Sequence, residues 1–361
     1  MTNTISRLGA GGPGWAAERT PLLSVRDLKT YFYADEGVTR AVDGASFDLF
    51  PGQTLGIVGE SGCGKSVTAR SILRIVERPG RIVGGEMLFS RDDGPPLDLA
   101  RLSPDGRDIR SIRGAEIALV FQEPMTSFSP VHTIGNQIVE MIRLHRQMTA
   151  SEARDRAIEL MRMVGIPRSE ARVDEYSYQL SGGLRQRAMI AMALAAEPRL
   201  LIADEPTTAL DVTTQAQILD LLRELQERTH MAIMLITHDL GVIAEMADQV
   251  VVMYLGRVVE EGSVDDIFHA PKHPYTRALL RSIPSIHGET REKLPTITGS
   301  IPHPFNRPRG CPFHPRCPSF MPGTCDARVP LLLPTNERQE VSCFLYSSEG
   351  LPLDEPVPAT A

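Results

Sequence analysis

Gly59-Glu60-Ser61-Gly62-Cys63-Gly64-Lys65-Ser66 is the stretch from which the rest of the chain can be read. It fits the phosphate-binding pattern G-x-x-x-x-G-K-[ST]. Leu55-Gly56-Ile57-Val58, just before it, reads as a short buried strand. Residues 67–76, just after it, read as a helix with Ile72, Leu73 and Val76 on one face. Strand, glycine loop and helix together are the context the motif requires. The glycines let successive N–H groups point inward at phosphate oxygens, and the new helix adds its positive end. Lys65 would bridge the β and γ phosphates, and the Ser66 hydroxyl would hold Mg²⁺. The candidate nucleotide-binding set is therefore Gly59, Glu60, Ser61, Gly62, Cys63, Gly64, Lys65, Ser66 and Val67. The plainer alternative is a glycine turn beside a solvated lysine.

Composition bounds what surrounds this loop. The 361 residues suffice for one large α/β domain plus something smaller, and the 42% hydrophobic content can supply its core. The net charge of −7 and the lack of a long basic run argue against nucleic acid as a partner. No apolar stretch approaches the ~18 residues that would span a bilayer. Residues 1–20 contain no signal-peptide apolar core and read as a flexible tail. The expectation is a cytosolic chain that reaches a membrane only through a partner. Of five cysteines, Cys63 lies in the phosphate loop and the others are Cys311, Cys317, Cys325 and Cys343. In a reducing compartment such a cluster points to metal more than to disulfides.

Along the chain, residues 22–32 and 39–50 read as strands, and Gly84-Gly85-Glu86-Met87-Leu88-Phe89 as another. Residues 91–108 are polar and rich in Pro, Gly and Asp, which predicts a surface loop. Ile117-Ala118-Leu119-Val120-Phe121 is a buried strand closed by Gln122-Glu123-Pro124. The pattern then turns helical. Thr149-Ala150-Ser151-Glu152 has the form of a capping box, with Ala153, Ala157, Leu160, Met161 and Val164 following at helical spacing. Strands return at Leu200-Leu201-Ile202-Ala203 and over residues 232–236, with an amphipathic helix between them marked by Ile218, Leu221, Leu222 and Leu225. Residues 250–259 read as a hairpin around Gly256. Beyond Pro271 proline becomes dense, and after Pro284 periodicity fades, so a boundary is placed near Ala270.

Two further motifs carry chemistry. Leu200-Leu201-Ile202-Ala203-Asp204-Glu205 is an apolar strand ending in two carboxylates. Asp204 can hold Mg²⁺ through water, and Glu205 can polarise a water for attack on the γ phosphate. Leu180-Ser181-Gly182-Gly183-Leu184-Arg185-Gln186-Arg187 opens a helix over residues 188–196. A hydroxyl and two glycines at a helix start form a second anion site. One bound nucleotide does not need two such sites, but two copies or two similar chains would each need one from the other.

At this point the sequence resembles the ATP-binding subunits of ABC transporters, whose signature is Leu-Ser-Gly-Gly-Gln; here Leu184 stands where that glutamine does. The resemblance implies an α/β P-loop NTPase of the ABC type. Its parts would be a RecA-like core, an antiparallel β subdomain, a helical subdomain and a small coil-rich, cysteine-containing C-terminal extension. The domains would be a tail over 1–20, the nucleotide-binding domain over 21–270 with a helical insert about 123–180, and the extension over 271–361. It implies roles residue by residue. Ser181, Gly182 and Gly183 would serve the partner's ATP, and Gln122 would be the lid glutamine that senses Mg²⁺ and the permease. Asp211 would lie at the dimer interface, and His238 would contact the γ phosphate. Phe32 would stack on adenine, with Tyr31 and Tyr33 as rivals.

Pro271-Lys272-His273-Pro274-Tyr275-Thr276-Arg277-Ala278-Leu279-Leu280 resembles the tail motif of oligopeptide and dipeptide importers. That branch implies an ATPase subunit powering peptide uptake at the cytoplasmic face of the membrane. Its partners would be a second, similar ATPase subunit in a heterodimer, two transmembrane permeases and an external substrate-binding protein. Nickel and other small solutes are alternative cargoes within the branch. A soluble ABC-type ATPase of DNA repair or translation is the alternative outside it, though the chain shows no second nucleotide unit or long coiled coil. The four tail cysteines are separated by five, seven and seventeen residues, wider than the paired spacing of structural zinc sites. The importer tails that this one resembles carry a [4Fe–4S] cluster, which four thiolates can hold. Zn²⁺ and four unliganded thiols remain the alternatives, and His314 is a further zinc-ligand candidate.

Overall fold

Thr54–Val58, the five residues leading into the phosphate loop, are all buried and sit in the middle of the main sheet. The computed structural model describes residues 20–92, 94–123, 127–208, 210–282, 297–303 and 305–351. Apart from residue 20, the expected tail lies outside the described residues, as does most of the stretch that follows Pro284 until residue 297. The strands among the described residues are β1 (Leu23–Ala34), β2 (Gly37–Leu49), β3 (Thr54–Val58), β4 (Gly80–Phe89), β5 (Leu97–Asp98), β6 (Ile117–Val120), β7 (Leu200–Asp204), β8 (Ala232–Ile236), β9 (Gln249–Tyr254), β10 (Arg257–Ser263), β11 (Val329–Pro330), β12 (Leu333–Asn336), β13 (Gln339–Val341) and β14 (Gly350–Leu351).

They form a four-stranded sheet in the order β2-β1-β4-β5 and an eight-stranded sheet in the order β12-β13-β10-β9-β3-β8-β7-β6. The first is antiparallel throughout. In the second, β9, β3, β8, β7 and β6 run parallel, and β10, β13 and β12 extend it antiparallel. The parallel strands read as continuous apolar runs because both of their faces are covered. Leu201, Ala203, Ile233 and Leu235 face the core shared with the helices, whereas Leu200, Ile202, Met234 and Ile236 face the core shared with the antiparallel sheet. That alternation is the two-residue period of a strand acting on two cores at once.

Between β6 and β7 the described chain is helical over Ile134–His145, Ala150–Met163, Ser169–Arg172 and Gly182–Ala193. The expected capping box is present. The Thr149 N–H donates to the Glu152 carboxylate at 2.8 Å, and the Glu152 N–H donates to the Thr149 hydroxyl at 3.3 Å. The helix after the phosphate loop is shorter than its periodicity implies. It spans Lys65–Ile72 and stops because Arg74 takes a left-handed φ of 56°. Residues 91–108 are not all loop, since β5 and a turn of helix at Leu99–Arg101 anchor the buried Leu99. The coil-rich tail also contributes more order than its sequence announces, because β13 and β12 extend one end of the main sheet, with β12 as its edge.

Candidate nucleotide site

The phosphate loop is shaped by contacts that exclude side chains. Gly59 has φ 150° and Gly64 φ 105°. A Cβ on Gly59 would lie 2.2 Å from the Met253 carbonyl oxygen, and one on Gly64 2.3 Å from that of Ala41. Gly64 caps the helix Lys65–Ile72 without a side-chain hydrogen bond, which leaves the first-turn N–H groups open to an anion. The Lys65 ammonium is buried and folds over the loop, donating to the Gly59 carbonyl at 2.8 Å and the Glu60 carbonyl at 3.3 Å. Burial pushes the Cys63 thiol up, so it stays neutral inside the loop.

Ser66 and Asp204 meet as expected, the hydroxyl donating to Oδ1 at 2.9 Å. Burial raises the Asp204 carboxyl above its ordinary range; the Ser66 hydroxyl opposes this and the neighbouring Glu205 charge adds to it. Such a carboxylate beside a hydroxyl is a fitting oxygen pair for a hard divalent cation. Glu205, held at a left-handed φ of 49°, lies at the centre of a second group. Gln122 Nε2 and Thr208 Oγ1 each donate to its Oε2 at 2.9 Å, and His238 Nδ1 lies 3.3 Å from its Oε1. Gln122, Glu205 and His238 follow β6, β7 and β8, three adjacent parallel strands, so their convergence is a consequence of strand order. The resemblance puts Gln122 beside Mg²⁺; in the structure its amide donates to Glu205. Thr208 was not anticipated, since nothing in a threonine after Glu-Pro-Thr marks it in sequence.

Ser181 caps the helix Gly182–Ala193 and accepts from the Leu184 N–H. Asp211 caps the helix Val212–Thr229 and accepts from the Thr214 N–H at 3.0 Å. A Cβ on Gly183 would lie 2.6 Å from Thr214 Cγ2, so the two helix starts pack too closely for a larger residue. Gln186 is 2% exposed and turned into the core, so it does not stand in on the surface for the glutamine replaced by Leu184. The three aromatic candidates separate. Tyr31 is buried, its hydroxyl donating to Asp43 Oδ1 at 2.5 Å, which removes it as a platform for adenine. Tyr33 carries the Arg81 guanidinium 5.6 Å above its ring centroid. Phe32 is half-buried against the Gly80 backbone.

Around the loop lie groups that sequence reasoning missed. Asp43 is wholly buried and receives Arg257 at 2.8 Å and Arg307 at 2.6 Å besides Tyr31. Burial alone would raise its carboxyl, but the two guanidiniums and the tyrosine hydroxyl hold it down at about 2. Glu60 is paired with Arg316, and its N–H donates to the Tyr275 hydroxyl at 2.8 Å. No local pattern announces pairs more than two hundred residues apart.

The tail thiols share one small region. The Cys311 N–H donates to the Cys325 carbonyl at 2.7 Å. Burial pushes the Cys311 thiol up to about 12 and the Cys343 thiol to about 11, and the neighbouring cysteines add to both shifts. Among the described residues, however, no group of three or more His, Cys, Asp or Glu side chains is arranged to hold a metal ion. The expected four-cysteine ligand set is therefore not seen as a metal site among the described residues. His314 Nδ1 lies 2.9 Å from the Cys311 carbonyl oxygen. Among the described residues no helix is long and apolar enough to cross a membrane.

Comparison with known proteins agrees with this geometry. The family model for the ABC transporter matches residues 42–208, and that for the oligopeptide/dipeptide transporter C-terminal region matches residues 259–325. The chain is 50% identical over 330 residues to the oligopeptide transport ATP-binding protein AppD of Bacillus subtilis, covering 91% of this chain and 98% of that protein. It is 47% identical over 322 residues to the dipeptide transport ATP-binding protein DppD of Escherichia coli, covering 89% and 96%. Among solved structures, the dimeric ATP-binding cassette MJ0796 in a post-hydrolysis state bound to ADP and Pi superposes with a TM-score of 0.59 at 27% identity, covering 67% of this chain and 98% of that one. An open phosphate loop, a Ser66–Asp204 pair and a held Glu205, with relatives matched along nearly their whole length, place this chain in the family of ATP-binding, ATP-hydrolysing subunits of ABC transporters, in the oligopeptide/dipeptide branch.

Proposed function

We propose that this subunit powers import of dipeptides or oligopeptides. It would work with a second, similar ATPase subunit in a heterodimer, two transmembrane permeases and an external substrate-binding protein, at the cytoplasmic face of the membrane and without nucleic acid. The observation that carries the chemistry is Glu205, held by Gln122, Thr208 and His238 next to the Ser66–Asp204 pair. ATP would lie with its phosphates on the N–H groups of residues 59–67 and its adenine against Phe32. Ser66 and Asp204, with Gln122 nearby, would hold Mg²⁺, which offsets phosphate charge. Glu205 orients a water and takes its proton as the water oxygen bonds to the γ phosphorus and the bond to the β–γ bridging oxygen breaks, releasing ADP and phosphate. His238 and Lys65 stabilise the charge on the γ phosphate. Residues 21–270 would carry this chemistry, and residues 271–361 would form the extension particular to the branch.

Ser181, Gly182, Gly183 and Asp211 act on the partner's nucleotide in this reading. The support is that Ser181 and Asp211 cap neighbouring helix starts and both are exposed residues there. Ser181→Arg is expected to leave ATP binding by the isolated subunit intact and to lower hydrolysis by the assembled transporter by about 10²-fold. Loss of ATP binding by the lone subunit would show instead that Ser181 serves its own chain.

The four tail thiols are proposed to hold a [4Fe–4S] cluster, with Zn²⁺ as the alternative. What supports this is that the four cysteines lie on one module, where burial and then the charge of a neighbouring cysteine raise the thiols of Cys311, Cys317 and Cys343 above their ordinary value. The cluster would act by folding the segment. Protein prepared without oxygen is expected to contain about four irons and four sulfides per chain, and Cys317→Ser to lose both. Stoichiometric zinc without sulfide in such protein would identify the other metal.

A further inference from the structure

Glu60, the first variable residue of the phosphate loop, is held from the far end of the chain. Arg316 Nη1 donates to its Oε2 at 2.7 Å and Nη2 to its Oε1 at 3.0 Å, a two-pronged pair. Arg316 is 8% exposed, and its remaining donors are also engaged, Nε on the Thr298 carbonyl at 3.2 Å and Nη1 on the Tyr254 hydroxyl at 3.3 Å. Its guanidinium carbon lies 5.8 Å from the centroid of the Tyr254 ring, which packs with Tyr275 and Phe313 at 4.7 and 5.3 Å between centroids. Tyr275 completes the hold by accepting the Glu60 N–H. The opposite wall is reached as well. Arg307 pairs with Asp43, whose N–H donates to the Gly256 carbonyl, while the Gly256 N–H donates to the Cys63 carbonyl at 2.9 Å.

A carboxylate beside a triphosphate opposes binding unless it is neutralised, and a loop must be held open to receive phosphate. Both tasks fall to Arg316. We propose that Arg316, with Tyr275, is a positioning residue for ATP: it neutralises and fixes Glu60, so that the C-terminal segment sets the affinity of the phosphate loop. Arg316 does not reach Glu205 or His238, so its effect falls on binding and not on the hydrolytic step. The inference rests on ATP occupying residues 59–67, which Lys65→Ala tests separately by abolishing ATP binding whatever stands at position 316.

The test is ATP affinity of the full-length chain, with hydrolysis by the assembled transporter at saturating ATP. Arg316→Ala is expected to raise the Kd for ATP about tenfold, the size of one uncompensated charge near the phosphates, with saturated hydrolysis within about threefold of normal. Adding Glu60→Gln to Arg316→Ala is expected to recover most of the affinity, because the opposing charge is then gone. A merely structural loss would not be rescued in this way. Arg316→Lys, which keeps charge and loses the fork, is expected to fall between the two and guards against a variant that does not fold. An unchanged Kd in Arg316→Ala or Arg316→Lys overturns the proposal, as does failure of Glu60→Gln to rescue.

Discussion

Glu205→Gln is expected to bind ATP normally and to lose hydrolysis by about 10²–10⁴-fold, the usual worth of a general base. The substitution is nearly isosteric. The amide oxygen can still accept from Thr208 and Gln122, as Oε2 does at 2.9 Å from each. What it cannot do is take a proton from water. Lys65, Ser66 and Asp204 are untouched, so nucleotide and Mg²⁺ binding persist and the assembly should accumulate in its ATP-bound form. Phosphate release by the assembled transporter, measured beside ATP affinity, separates the two effects. Hydrolysis at the normal rate would mean that another group accepts the proton, and the place of Glu205 between Gln122 and His238 would then be structural.

The second large effect concerns stability. Asp43→Ala is expected to cost about 3–5 kcal/mol, the range for removing one partner from a buried ion pair. Arg307 and the Tyr31 hydroxyl lose their carboxylate, and Arg257 loses two hydrogen bonds. Burial draws Arg307 down to about 10 even with Asp43 beside it, since Arg257 and Arg40 crowd it, yet it remains charged at neutral pH. The network therefore already holds more cation than one carboxylate neutralises, which makes Asp43 harder to lose. The same residue sets an acid dependence. Its folded carboxyl is held at about 2 against an ordinary 3.8, so its contribution is full above the ordinary value and lost as pH falls through about 2. That contribution is about 2 kcal/mol. The stability gap between the parent chain and Asp43→Ala, read from urea midpoints at pH 7 and in the acid range, should narrow by about 2 kcal/mol as the pH drops. Midpoints that differ equally at all pH values would mean that the loss is one of packing and not of charge.

Local patterns carried much of the fold. The run Leu200-Leu201-Ile202-Ala203 became β7, residues 232–236 became β8, and Thr149 with Glu152 formed the expected helix start. Each depends on neighbours within a few positions, through strand alternation, apolar continuity or a reciprocal cap. Where position in space mattered, pattern reached less far. The helix after the loop ends at Ile72, four residues short of Val76, because the backbone turns at Arg74. The tail looks coil-rich because β12 and β13 are only four and three residues long and have no repeat to detect; pairing of β13 with β10, and of β12 with β13, makes them strands.

By itself the sequence determined the class of chemistry: a phosphate loop, two strand-end carboxylates and a second glycine-rich helix start are local arrangements of a few residues, and local sterics and helix ends are enough to give them meaning. The meeting of Gln122, Glu205 and His238 was decided by the tertiary structure, because it follows from the order β8-β7-β6 and not from any one segment. So was the rejection of Tyr31 in the adenine role, since only the fold buries its hydroxyl on Asp43. The hold of Arg316 on Glu60 lies furthest from the reach of sequence: its two residues are 256 positions apart, and a pair at that separation exists only once the sheet and the tail have packed to bring the guanidinium out of water beside its carboxylate.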